Sequence, residues 1–231
     1  MADRIRIDRV ELSPFDRGKA VDVYCREFVC SAAGKVQGNL DAETADIRGA
    51  CKVGGDVMAT ILKIGGSMKV AGSVRSELIR VKGALKVEGN VSASNLRVAG
   101  ATKILGSIDS AEEIFVQGVL SCQSDVVSVT FNLHGAVNVK NTLRARDFTA
   151  KLGGRSAIKY IEAETVRVSG GGSRDSELVA KKIAAKDVYL EDTVAELIEA
   201  DKVIVGKGCT ISEVRARELE VHKDSRVGKR L

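Results

Sequence analysis

The chain has no tryptophan, a single proline (Pro14), and only three tyrosines and five phenylalanines. Cores of ordinary globular thickness draw much of their buried area from large aromatic side chains. Here apolar residues make up 44% of the chain and aromatics only 3%, so a narrow, aliphatic core is expected. One proline in 231 residues excludes collagen and proline-rich linkers. No run of about eighteen apolar residues is present, so no membrane-spanning helix is expected. The opening stretch, MADRIRIDRVE, is too charged for a signal peptide.

Reactive side chains are also sparse. There are two histidines, His134 and His222, and five cysteines: Cys25, Cys30, Cys51, Cys122 and Cys209. No two cysteines form a CxxC pair, and an odd number without a secretion signal argues against a disulfide framework. A cytoplasmic location is expected, with the inner face of the membrane as a surface within reach. The net charge of +5 comes from 36 basic and 31 acidic residues interspersed along the chain. That balance permits an anionic partner without requiring one.

The dominant feature is a repeat. Taking SMKVAGSVRSELIRVKG (67–83) as one unit numbered 1 to 17, position 8 recurs as Ile5, Val23, Leu40, Val57, Val74, Val91, Ile108, Val126, Leu143, Ile161, Ile183, Ile198 and Val214. Position 10 is small nearly everywhere, from Cys25 and Ala42 to Ala200 and Ala216, with Ile7 the larger exception. Position 15 is mostly apolar, as at Leu12, Cys30, Ile47, Ile64, Val81 and Val98. Apolar and polar residues alternate over three to five positions, which is the period of a strand and not of a helix. Glycine recurs at position 6 (Gly38, Gly55, Gly72, Gly89, Gly106) and at position 17 (Gly49, Gly66, Gly83, Gly100). These glycines are expected at corners that need positive φ or a tight bend.

Seventeen residues accommodate about three short strands and three corners, one coil of a β-solenoid. The predicted fold is an all-β parallel β-helix of about thirteen rungs, right-handed by the general rule for parallel connections. A leucine-rich repeat would need longer units with a recurrent Asn or Cys. A hexapeptide helix would need an aliphatic residue every six, which the spacing does not provide. The expected organisation is a first rung and connecting segment over 1–22, a regular β-helix over 23–170, a less regular continuation over 171–222, and a basic tail over 223–231. The stretch SGGGSRDSE (169–177) reads as an exposed loop inserted at a corner. The following LVAKKIAAKDVYLED has helix-friendly composition, but Ile183, Ala185, Val188 and Leu190 match the strand grid.

The candidate chemistry is thin. Cys25, Cys30 and Cys122 fall on inward positions and read as small core residues; Cys51 and Cys209 are not placed by the grid. Both histidines are expected to point outward. Strings such as GGDVMATILKIGG lack the following helix and Lys-Ser/Thr pair of a phosphate loop. No catalytic residue, metal ligand or cofactor site is assigned, and no enzyme activity is expected. Lys35, Lys52, Lys69, Lys86 and Lys103 line up at position 3, and Lys63, Arg80 and Arg97 at position 14. Stacked rows of this kind make a basic stripe able to face an anionic polymer or membrane headgroups. No aromatics interleave with them, so nucleic acid is not an expected partner.

A β-helix leaves unpaired N–H and C=O groups at both ends, which stable monomers cover with a cap. Neither end of this chain carries an amphipathic helix long enough to act as one. The apolar sets Ile5, Ile7, Val10 and Leu12 at one end and Val214, Leu219 and Val221 at the other are therefore expected to form contacts between copies.

The units at 50–66, 67–83 and 84–100 follow AxKVxGxVxAxxLxVxG and resemble the bactofilin family of polymer-forming cytoskeletal proteins. The resemblance is strongest over 34–170. It implies a right-handed β-helix that polymerises end to end without nucleotide and scaffolds envelope-associated client proteins. Against that pattern, this sequence has more rungs and lacks proline-rich tails and an apolar membrane-targeting N-terminus.

Overall fold

The computed structural model describes residues 7–12, 19–172 and 175–231. It is an all-β, all-parallel β-solenoid of about 13 turns spaced roughly 17 residues apart, with no helix among the described residues. The chain divides into two compact units, Met1–Ser110 and Ala111–Leu231. In the first, the strands are β1 (Ile7–Leu12), β2 (Lys19–Ala20), β3 (Val23–Cys30), β4 (Ala33–Val36), β5 (Leu40–Ile47), β6 (Ala50–Val53), β7 (Val57–Ile64), β8 (Ser67–Val70), β9 (Val74–Val81), β10 (Ala84–Val87), β11 (Val91–Val98) and β12 (Ala101–Ile104). β13 (Ile108–Val116) runs past the end of that unit. The second contains β14 (Val119–Cys122), β15 (Val126–Leu133), β16 (Ala136–Lys151), β17 (Ser156–Ser169), β18 (Leu178–Ala184), β19 (Asp187–Leu190), β20 (Thr193–Val205), β21 (Thr210–Val221) and β22 (Arg226–Arg230).

In the first unit, from β3 to β12, each coil contributes an eight-residue and a four-residue strand. The burial of β9 explains the eight-residue form. Val74 and Ser76 are buried, then the alternation skips a residue, and Ile79 and Val81 are buried. The three-residue step between Ser76 and Ile79 is a corner within one continuous strand. The third inward pair is Met68 and Val70 on β8. Each coil is thus closed on three sides by pairs at positions 2 and 4, 8 and 10, and 13 and 15. Position 2 was not part of the sequence grid, and it accounts for Cys51, which is buried beside Met68 in register.

The seventeen-residue markers stack residue on residue. Val23 pairs with Leu40, Leu40 with Val57, Val57 with Val74 and Val74 with Val91. In the second unit Val126 pairs with Leu143, then Ile161, Ile183, Ile198 and Val214 follow in unbroken register. Ile5 lies outside the described residues. Burying one such aliphatic side chain stabilises by about 1.5–3 kcal/mol, and the repeat supplies several per coil. Large and small residues compensate along a ladder: Phe28, Ala45 and Leu62 are consecutive and each is fully buried. In the second unit Phe131 stacks on Phe148, with ring centroids 5.6 Å apart.

Of the two causes expected for glycine at the corners, positive φ does not hold for the repeat glycines. The only positive φ values among the described residues are at Gly172, Gly208 and Asp192. At Gly83 the constraint is close approach. A Cβ there would press into the carbonyl oxygen of Gly66 one coil below.

The second unit turns its corners differently. From β16 onward, β16, β17, β20 and β21 are long strands of 12 to 16 residues, and β16 and β17 run through corners that are broken in the first unit. Position 10 no longer sits in a tight inward corner there. Ala145, Ala163, Ala185, Ala200 and Ala216 are half-buried, whereas Cys25, Ala42, Ala59, Ser76 and Ala93 are buried. The change begins before Gly170, where the sequence rhythm loosens. Residues 178–190 form strands β18 and β19.

The segment 223–231 is not a free tail. β22 lies parallel on β21, pairing Ile211 with Val227 and Val214 with Arg230. The Leu231 N–H donates to the Val214 carbonyl at 2.9 Å, and the Ala216 N–H donates to the Leu231 carbonyl at 3.1 Å. These bonds continue the sheet by one partial coil.

Candidate functional site

The outward faces of the short strands carry the most regular charge. On β4, β6, β8, β10 and β12, Lys35, Lys52, Lys69, Lys86 and Lys103 are consecutive Cα partners. Lys19 on β2 takes the same register position one coil before Lys35. Parallel strands lie about 4.8 Å apart, so the row is a line of like charges at close spacing. Glu88 offsets part of it, bridging Lys69 at 3.1 Å and Lys86 at 3.5 Å. Its hydrogen bond to Lys69, and the charge of both lysines, hold its carboxyl below the usual carboxylate range. The second row is also in register, with Lys63 beside Arg80 and Arg80 beside Arg97. Asp46 precedes Lys63 in that row and pairs with Arg48 at 2.8 Å. The structure therefore assembles both rows that the spacing predicted.

A polar ladder escaped the sequence reading. Position 7 is Asp22, Asn39, Asp56, Ser73, Asn90 and Ser107. Each of the first five side chains accepts a hydrogen bond from the backbone N–H of the next, at 2.7–3.1 Å. Asp125 does the same for Thr142 in the second unit. The signal was available as Asx or Ser every seventeen residues. It was overshadowed by the adjacent glycine at position 6, whose missing Cβ is what lets the capping oxygen fit.

The apolar end sets are placed in different ways. Ile7 is 56% exposed on β1, Val10 is half-buried and Leu12 is buried. Among the described residues β1 pairs only with β3. At the other end Val214 is buried beneath Arg230 on β22 and is not an end residue. Leu219 and Val221 are half-buried in the second half of β21, and the register of β22 on that strand stops at Val214.

All five cysteines are free and buried. Burial pushes the Cys209 thiol up to about 11. The Cys51 thiol, hydrogen-bonded to Cys30 and buried, is held well above the ordinary thiol range. Such thiols are poor nucleophiles. His134 is exposed and meets Phe115 edge-on, centroids 5.3 Å apart. His222 lies 3.6 Å from Asp224. Among the described residues no group of three or more His, Cys, Asp or Glu side chains is placed to hold a metal ion. No helix of the described residues is long and apolar enough to cross a membrane. In the 169–177 loop, Gly171 and Gly172 are exposed and Ser176 is buried.

Surface troughs lie on each unit. One, of about 490 Å³, runs over Asp56, Met58, Arg75, Asn90 and Asp109 in the first unit. Another, of about 430 Å³, lies in the second unit between a row of half-buried apolar residues and a row of lysines.

No protein-family model matches this chain, and no curated protein or solved structure does either.

Proposed function

We propose that this chain is a structural, self-assembling protein that polymerises end to end through its outermost coils, without nucleotide and without catalysis. One observation carries the reading. Successive coils of the first unit meet through one repeated surface, with identical register from Ala50 to Val98. A surface that fits its own copy within the chain can fit a copy on another chain, by strand addition and apolar stacking. A contact of this kind that does not close on itself gives filaments. The half-covered Val10, Leu219 and Val221 and the exposed Ile7 are the apolar groups such a contact would bury. The resemblance of 50–100 to bactofilins points the same way. It also makes envelope-associated proteins the clients and the cytoplasm, near the membrane, the location.

The test is electron microscopy of the purified chain without nucleotide, at low and moderate salt. Filaments one solenoid wide are expected. Ile7→Lys and Val221→Lys change residues that are not fully buried, so each variant should fold and yet shorten or abolish the filaments. Uniform monomers by light scattering for the unmodified chain would overturn the reading.

A second reading rests on the five-lysine row from Lys35 to Lys103, as a module that docks an anionic polymer or membrane surface. Binding of that kind weakens steeply with salt, whereas apolar end-to-end assembly does not.

A further inference from the structure

We propose that the trough on the second unit is a docking groove for an acidic amphipathic α-helix of a partner protein. Its floor is Ala157, Val179 and Val194, which are consecutive register partners on β17, β18 and β20 and are each half-buried. Two residues further along each strand, on the same outward side, stand Lys159, Lys181 and Glu196, and Lys140 precedes them from β16. All three lysines are exposed. The Lys159 ammonium rests 5.0 Å from the centre of the Tyr160 ring. Of the acidic side chains nearby, Glu199 bridges Lys182 and Arg215 and Glu177 faces Arg155, while Glu196 stands in the row itself. Among the described residues, no ion pair holds Lys140, Lys159 or Lys181.

The spacing selects the occupant. Lys159 and Lys181 stand one strand separation apart, and Lys140 precedes them at a register shift between β16 and β17, so the three cover two strand separations, about 9.6 Å. Two turns of an α-helix, from i to i+7, advance about 10.5 Å. Lysine side chains absorb that difference, so carboxylates at i, i+3 or i+4, and i+7 can meet all three. An extended strand along the same line presents same-side residues every 6.8 Å or so and falls out of step within two positions. A flat bilayer would meet the lysine tips but leave the recessed apolar floor wet. A ligand with one carboxylate would satisfy one lysine of three. A cylinder with an apolar stripe flanked by acids covers both rows, the helix-in-groove mode of recognition. Glu196 ends the positive row, so the partner's acids must stop there, which sets how far along the groove its acidic flank can extend. The groove is on a side face, so this inference does not depend on whether the chain polymerises.

The probe is a synthetic amphipathic helix with leucine at i, i+3, i+4 and i+7 and glutamate along one flank. A second peptide carries lysine in place of each glutamate. Both are titrated with the full chain by fluorescence anisotropy at low and physiological salt. The glutamate peptide is expected to bind and the lysine peptide not to bind. Lys159→Glu combined with Lys181→Glu should weaken binding at least tenfold while leaving the thermal unfolding of the chain unchanged, because both side chains are exposed. Val179→Ser should weaken binding without altering its salt dependence. The proposal is overturned if the glutamate peptide does not bind, or if the charge-reversed variant binds it equally well. It is also overturned if vesicles containing phosphatidylserine, and not the peptide, lose their binding on charge reversal, which would assign the row to a membrane.

Discussion

The carboxylate of Asp56 accepts a hydrogen bond of 2.7 Å from the backbone N–H of Ser73, seventeen residues on and one coil away. The same bond recurs from Asp22 to Ser107, so one corner of each of these coils is capped by the side chain of the coil before it. It satisfies a backbone donor where no strand partner is present.

Replacing Asp56 by alanine should therefore cost about 1 kcal/mol, read as a lower urea midpoint at unchanged slope. Asp56→Asn keeps an oxygen acceptor in place and should recover most of the loss. Equal losses for both variants would show that charge, and not the hydrogen bond, matters at this corner.

Two neighbouring kinds of glycine should respond in opposite ways. Gly83→Ala drives a Cβ into the Gly66 carbonyl and should destabilise by about 1–3 kcal/mol. At Gly65 the nearest obstacle is the Ile47 carbonyl oxygen at 3.7 Å, an ordinary contact. Gly65→Ala should be neutral or stabilise by up to about 1 kcal/mol through the unfolded chain. Denaturation of the two variants side by side separates close approach from a general demand for glycine at corners.

Glu191 links pH to stability in the second unit. It accepts the Gly170 N–H at 2.9 Å and the Tyr189 hydroxyl at 2.7 Å, and these bonds hold its carboxyl below its ordinary value of 4.5. Because the folded-state value lies below the unfolded one, this stabilisation is complete at neutral pH. It fades as the pH falls from about 4.5 through the lower folded value. Urea midpoints of the unmodified chain and of Glu191→Gln, measured across that window, should converge as the pH drops. The same substitution should bring Tyr189, now held above its usual range by Glu191, back toward ordinary phenol titration.

Much of this molecule is legible in one dimension because its contacts are themselves periodic. A residue on the seventeen-residue grid meets the residue one period away, so the markers from Val23 to Val91 and from Val126 to Val214, and the lysine row from Lys35 to Lys103, are legible as ladders in the sequence itself. Period-two alternation placed the inward positions 8, 10 and 15. It missed position 2, where Gly34, Cys51, Met68, Leu85 and Thr102 share little beyond their place in the coil.

By itself the sequence determined the period, the parallel stacking and which side chains form rows, since those follow from local alternation and spacing. Only the tertiary structure decided what each row faces. Gly83 is a matter of distance to another coil and not of φ, Asp56 serves a backbone N–H that is remote in sequence, and Val214 lies under a final strand that composition alone described as a tail. The lysine row beside Ala157, Val179 and Val194 depends on corners that the second unit turns differently from the first. These relationships depend on how a coil bends, which is set by packing across coils and not by the local alternation along any one of them.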